Sequence, residues 1–309
     1  MRTVDVEYLN ALARGTFGWT AAGLWGAVWG SFFNVLIVRL PAGESLVRPA
    51  SHCCSCSRPI PWYDNIPLLS FLLLRGRCRH CGARFSLRYF LVELLVTGLT
   101  LAMYHTFVIA DPVGLLGLRM ARFVVASLYS GLLVGITFID LDTMRIPDVI
   151  TYPAIPACML LSMFFPHTHW WDGPVGGVGG YLVIRLLADG YRLITGRTGM
   201  GYGDAKLLAM IGALGGWQVL LPALFLSALQ GTIIGVSLMA IARAWRRRRG
   251  DEPEAAGDVG DEGDDDEPPP PDPTSLRYAR LPFGPFLSLA AIEVILLRHY
   301  LPLFFPYLY

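Results

Sequence analysis

The chain has 309 residues, a formal net charge of +1, 54% hydrophobic and 16% charged residues, and a mean hydropathy of +0.48. A soluble domain carries about 25% charged residues, and here the apolar residues come in long unbroken runs, which excludes an ordinary soluble enzyme and points to an all-α polytopic membrane protein. The near-neutral total conceals an asymmetry: residues 250–275 hold 11 of the 24 acidic residues and no basic one, so the other 25 basic and 13 acidic residues leave a balance of +12. Arg beside membrane spans reads first as a topology signal, and no nucleic-acid partner is implied.

Apolar runs predict about eight transmembrane helices, near 17–38, 89–110, 120–141, 149–166, 174–194, 205–217, 222–242 and 282–300. The first is long and lacks a small-residue cleavage site, so it reads as a span rather than a signal peptide. The sixth is short and Gly-rich, tolerable only where it packs against protein or lines a cavity. Arg39 to Arg88 include eight Arg; Arg192, Arg197, Lys206, Arg243 and Arg246 to Arg249 extend the same alternating side. The positive-inside rule places that side in the cytoplasm and leaves Arg119 as the lone basic residue of the outer loops. His167 and His169, with Trp170 and Trp171, read as an interfacial belt. Residues 246–276 carry an Arg run, then an acidic, Pro-rich stretch that cannot bury a core and reads as a disordered linker.

Between the first two spans lie Cys53, Cys54, Cys56, Cys78 and Cys81. Cys53 with Cys56, and Cys78 with Cys81, form two CxxC knuckles separated by 21 residues. That spacing suits one tetrahedral Zn²⁺ held by four thiolates, and a reducing cytoplasm disfavours disulfides. A segment of this size builds little core, so a structural metal supplies folding free energy. Cys54 is the spare thiol, Cys158 sits in a span as packing, and His52 and His80 are substitute ligands only.

The chemistry points instead to acids at the cytoplasmic membrane edge. Asp140 and Asp142 end the third span in FIDLDTMRIPD, and Asp204 opens the sixth in GMGYGDAK. Carboxylates in or beside a span are costly, and a functional role is their default explanation. Two that share a low-dielectric site hold one proton between them, so one acts as general base on water and the other as general acid. Gly199, Gly201 and Gly203 allow close backbone approach at that helix start. Asp142 is either the true partner or a neighbour that tunes the pair. Asp148, after Pro147, fits a first-turn helix acid. Asp189, Glu93 and Glu293 are single in-span acids, expected to pair with Arg.

Taken together, GSFFNVLIVRLP at 30–41, the two knuckles, DNIPLLSFLLLRGRC at 64–78, FSLRYFLVE at 85–93, FIDLDTMRIPD, GMGYGDAKLLA and LPFGPFLSLAA at 281–291 give the chain a marked resemblance. It resembles the bacterial type IV prepilin peptidases, a family similar in mechanism to other GxGD intramembrane aspartic proteases. The resemblance implies a catalytic pair on Asp140 and Asp204; the family places its aspartate seven residues before a Pro, which selects Asp140 over Asp142. It implies cleavage of the basic leader of type IV prepilins or type II secretion pseudopilins, then N-methylation of the new terminus by S-adenosylmethionine.

On that resemblance the chain divides into five parts. These are a tail and first span (1–38), a cytoplasmic Cys₄ zinc segment associated with methylation (39–88), and a transmembrane peptidase core (89–245). An acidic linker (246–280) and a last span with the C-terminus (281–309) follow. Asp142, Asp148, Gly201 and Gly203 are expected to support the catalytic pair, and Cys53, Cys56, Cys78 and Cys81 to hold Zn²⁺. The methyl-donor site is not placed by any residue pattern, with Gly30, Asn34 and Arg39 as weak candidates. The expected location is the bacterial inner membrane, with zinc segment and active site facing the cytoplasm. The rival activities are a peptidase without methylation, or a non-enzymatic zinc-bearing scaffold.

Overall fold

The long apolar runs fold as helices in the computed structural model, which describes residues 3–111, 114–165, 169–196, 201–249, 282–298 and 300–304. The acidic stretch 250–275, Gly199, Arg197 and His167 lie outside the described residues. The helices are α1 (Thr3–Arg14), α2 (Thr16–Arg39), α3 (Leu69–Leu73), α4 (Leu87–Tyr104), α5 (Leu116–Thr143), α6 (Asp148–Leu161), α7 (Asp172–Thr195), α8 (Tyr202–Gly215), α9 (Leu220–Arg249), α10 (Gly284–Leu296) and α11 (Leu301–Phe304). Among the described residues there is no strand, only two isolated bridges in the Cys segment.

Each of the eight apolar runs is helical, but they are not equivalent. Four helices are long and apolar enough to cross a membrane: Thr16–Arg39, Leu87–Ile109, Leu116–Thr143 and Trp217–Ile241. Asp148–Phe164 and Gly284–Leu296 are shorter apolar helices. The chain is therefore a multi-pass membrane protein. Helix α9 runs through Arg246 to Arg249, the first residues of the stretch read as linker.

Small residues set the helix spacing. Gly18, Ala22, Gly26 and Gly30 recur every fourth position on α2 and are buried. A Cβ on Gly26 would lie 2.8 Å from Thr100 Cβ, and one on Gly30 would lie 2.9 Å from Glu93 Cα, so α2 and α4 touch nearly backbone to backbone. Beyond that stripe α2 turns large, and the Phe33 ring fills the space above Gly131 of α5. The same device joins α7 to α8, where Gly176 meets the Gly212 carbonyl directly. Helix α10 closes the arrangement by packing on α5, α8 and α9, so the end of α5 and the starts of α8 and α10 converge.

Arg119, the outlier of the sequence topology, is buried in the first turn of α5. Its guanidinium donates to Asn10 Oδ1 at 3.1 Å and to the Val108 carbonyl, tying α1 to the bundle. Its work is packing, which explains a basic residue where topology disfavours one.

Candidate active site and metal centre

Helix α5 stops at Met144, which takes a left-handed conformation (φ 53°) and returns its N–H to the Asp140 carbonyl at 2.8 Å. Ile146 then crosses the bundle end and Pro147 opens α6. Ile146 is the pivot of the site. A Cβ on Gly203 would come within 3.1 Å of Ile146 Cβ, and one on Gly284 within 3.2 Å of Ile146 Cδ1. Three chain segments distant in sequence thus meet, two of them through a glycine with little room for a side chain.

Asp140 and Asp204 are both buried, at 5% and 9% exposure. Asp204 is the third residue of α8, and its carboxylate accepts from the Gly201 backbone N–H. That is half of a capping box, so the acid does cap its helix. Capping alone does not explain a second buried acid beside it. Asp140 accepts from the Gly284 N–H at the first turn of α10, and its charge acts on Asp204. Each carboxylate thus faces a helix N-terminus, where negative charge is accommodated. Among the described residues neither has a cation within ion-pair distance.

The neighbouring acids are compensated. Asp142 is exposed and forms a two-pronged pair with Arg88 at 2.6 and 3.0 Å, whose guanidinium also lies over the Phe138 ring. Asp148 pairs with Lys206 Nζ at 2.5 Å, and Lys206 covers the Tyr152 ring. The lysine two residues after Asp204 thereby fixes α8 to α6. Of the expected supporting residues, Gly201 lies beside Asp204 and Gly203 packs on Ile146, while Asp142 and Asp148 tie helices together nearby. Gly284 went unassigned in the sequence: no titratable side chain marked it, and only its place in LPFGPF set it apart.

Asp189 pairs with Arg185 at 2.9 Å, as expected of a lone in-span acid. Glu93 and Glu293 correct that expectation. Glu93 accepts from the Leu68 N–H at 2.8 Å and from Ser31 and Asn34. Glu293 accepts from the Gln230 amide. Backbone and amide donors serve where a guanidinium was expected. Of the weak methyl-donor candidates, Gly30 packs on α4, Asn34 donates to the Tyr89 carbonyl, and Arg39 donates to the Ser45 carbonyl.

The four knuckle thiols come together. Cys53, Cys56, Cys78 and Cys81 place their sulfurs within 4.8 Å of one another, with 3.8 Å between Cys53 and Cys81. Zn–S bonds of about 2.3 Å in a tetrahedron put sulfurs about 3.8 Å apart, so the set fits one Zn²⁺. Each knuckle is a tight turn. Cys53 N–H donates to the Arg58 carbonyl at 3.0 Å, and Cys78 N–H to the Ala83 carbonyl at 2.8 Å. The N–H groups of Cys56 and Ser55 pull the Cys53 thiol down to about 6. At Cys81 the Ala83 N–H pulls the same way, but burial and the neighbouring thiols outweigh it and push the group up to about 11. Cys54 is exposed, Cys158 is buried in the helical core, and His80 and His52 engage Arg58 and the Ala50 carbonyl instead. Asp64 and Arg79 brace the second knuckle with bonds of 2.5 and 2.7 Å, which hold the Asp64 carboxyl below its usual range.

Residues 24–107 match the model of the bacterial peptidase A24 N-terminal domain, and residues 127–236 match that of the type IV leader peptidase family. A protein of Aeromonas hydrophila named prepilin leader peptidase/N-methyltransferase is 39% identical over 242 residues, 71% of this chain and 80% of its own length. One of the same name in Klebsiella pneumoniae is 40% identical over 209 residues, covering 66% and 87%. A third, in Myxococcus xanthus, is 33% identical over 318 residues, covering 91% and 90%. No solved structure matches the chain.

Proposed function

The chain belongs to the type IV leader peptidase family, and from that premise we propose that it is a prepilin peptidase whose catalytic dyad is Asp140 and Asp204. The observation that carries this is the meeting of two buried carboxylates with backbone donors and, among the described residues, no cation, at the junction of α5, α8 and α10.

The substrate is a type IV prepilin or type II secretion pseudopilin, its apolar helix in the bilayer and its basic leader on the dyad side. One carboxylate takes a proton from water as the oxygen adds to the scissile carbonyl. The other, protonated, hydrogen-bonds the developing oxyanion. Collapse of the tetrahedral intermediate expels the new amine, which leaves with the proton held by the first carboxylate. Ile146 and the Gly203 backbone wall one side of the space, while Gly284 gives Asp140 its donor without a side chain in the way. Asp142 and Asp148 already hold cations of the chain, so their role is to position α5, α6 and α8.

The freed amine is then methylated; S-adenosylmethionine supplies an electrophilic methyl group at a site these residues do not mark. Cys53, Cys56, Cys78 and Cys81 would hold Zn²⁺, which folds the segment 39–88 and offers no open position for catalysis. We place this segment and the dyad at the cytoplasmic face of the inner membrane, with eight spans, on the Arg distribution. In that arrangement residues 89–245 form the peptidase core, and 246–280 form a linker to the last span.

The test is purified protein in detergent with a prepilin and S-adenosylmethionine, read by mass spectrometry. The expected product lacks the leader and gains one methylene mass that depends on the donor. Cleavage without that gain restricts the activity to a peptidase. No cleavage by folded, zinc-loaded protein overturns the enzyme reading in favour of a scaffold.

A further inference from the structure

Helix α3 is inside out. Leu69, Leu72 and Leu73 sit at i, i+3 and i+4 on one face, and all three are exposed, Leu72 at 61% and Leu73 at 73%. Ser70 is buried. Its hydroxyl accepts from the Ile66 N–H at 2.9 Å and donates to the Tyr63 carbonyl at 3.2 Å, tying the preceding turn to the helix. That turn presents Trp62 and Tyr63, also exposed, with ring centroids 5.7 Å apart. A face with its serine inward and its leucines outward is matched to an apolar medium, not to water.

The depth of α3 identifies the medium. Its start is fixed by the Leu68 N–H on Glu93 at 2.8 Å, and its middle by Phe71 stacked on Phe90 at 5.1 Å. Both anchors belong to α4, a candidate span that begins at Leu87. Glu93 lies six residues along that helix, which is about 9 Å from its first residue. An interfacial helix buries its apolar face about 5–10 Å into the headgroup–acyl boundary, so α3 is docked at that level. The charge agrees: the exposed Arg75, Arg77 and Arg84 lie in the stretch that follows the helix, and Asp64, beside Trp62 and Tyr63, is held by Arg79.

We propose that α3 and the Trp62–Tyr63 turn are an interfacial anchor that seats the Cys segment on the anionic lipid of its own membrane. The leucines and Trp62 enter the acyl boundary, and the arginines meet lipid phosphates. The anchor fixes the height of the metal knuckles over the bundle. It depends on α4 crossing the bilayer and is independent of the dyad chemistry.

The test uses the full chain in nanodiscs of mixed zwitterionic and anionic lipid, one copy per disc. Trp62 is the sole tryptophan of residues 39–88, so wild type minus Trp62→Phe isolates its emission. Lipid brominated near the headgroup end of its chains should quench that component by about twofold or more. Hydrogen exchange at 69–74 should be slow without substrate, and Leu69→Gln/Leu72→Gln/Leu73→Gln should make it fast while the zinc content holds. An unquenched Trp62 component overturns the proposal. So does protection that appears only with added prepilin, which would assign the face to substrate, or only with two copies per disc, which would assign it to a self-contact. Cleavage activity is not the readout, so failure here leaves the dyad untouched.

Discussion

The two ends of the bundle bury charge in opposite ways. At the end where α4 gives way to α5, Asp111 lies between Arg298 at 2.7 Å and Arg122 at 3.7 Å. Arg122 adds a 2.7 Å bond to the Phe164 carbonyl. Every charge there has an opposite charge or a carbonyl to face, and the cluster locks α5, α6 and α10 together. At the other end of α5 and α10, Asp140 and Asp204 are as deeply buried, but among the described residues they face backbone N–H groups and each other. Breaking a paired site leaves an orphan charge and costs stability. The unpaired site is already strained by like charge, and that strain is what proton sharing relieves. On the proposed function, what separates the reacting acids from the structural ones is their partners rather than their burial.

The comparison can be broken at several points. After loss of the acids themselves, the largest effect is expected from Gly284→Ala. Its Cβ would sit 2.5 Å from Asp140 Oδ2, and a shift of that carboxylate by about 1 Å costs on the order of 100-fold in cleavage rate. The protein should remain inserted and zinc-loaded, and initial rates on a prepilin check it. Next is the metal centre. Ligation requires thiolates, so protons compete with the metal and acidification should release Zn²⁺. A colorimetric chelator added at successive pH values reads this; Cys53→Ser/Cys78→Ser should lose the metal at neutral pH and lower the unfolding temperature.

Smaller effects should come from the compensated pairs. Arg88→Ala removes a half-exposed ion pair, a contact of about 0.2–1 kcal/mol, so cleavage should fall only a few-fold. The smallest belongs to Asp64. Arg79 holds its carboxyl below the unfolded value of about 3.9. Its contribution is therefore full above that value and fades as pH falls through the lower folded one. Asp64→Asn should slightly lower the melting temperature at pH 7 and match wild type at strongly acidic pH, as thermal unfolding would show.

The apolar runs announced helices because their length and composition carry the signal locally. The Cys₄ set was legible for a similar reason: CxxC spacing is a local pattern, and the fold only had to close two turns. What stayed hidden depends on contacts distant in sequence. Gly284 has no side chain to notice, and its importance comes from Asp140, far upstream. Glu93 seemed to need Arg, yet the Leu68 backbone N–H reaches it through a turn that no periodicity encodes. Arg119 looked like a topology exception until Asn10 and the Val108 carbonyl gave it partners. Asp142 and Asp140, two residues apart in one helix, face different surroundings; the family's spacing to Pro147 favoured Asp140, and packing supplies the physical difference.

The central claim is that the uncompensated acids react and the compensated acids hold the helices. Initial cleavage rates of Asp140→Asn, Asp204→Asn, Asp142→Asn and Asp148→Asn, measured on one prepilin in the same membranes, test it directly. The first two should lose on the order of 1,000-fold or more, the scale of a lost general acid or base. The last two should stay within about tenfold of wild type, in keeping with partly exposed ion pairs. Substantial cleavage by either of the first two, or an Asp142→Asn variant as inactive as Asp140→Asn, would contradict it.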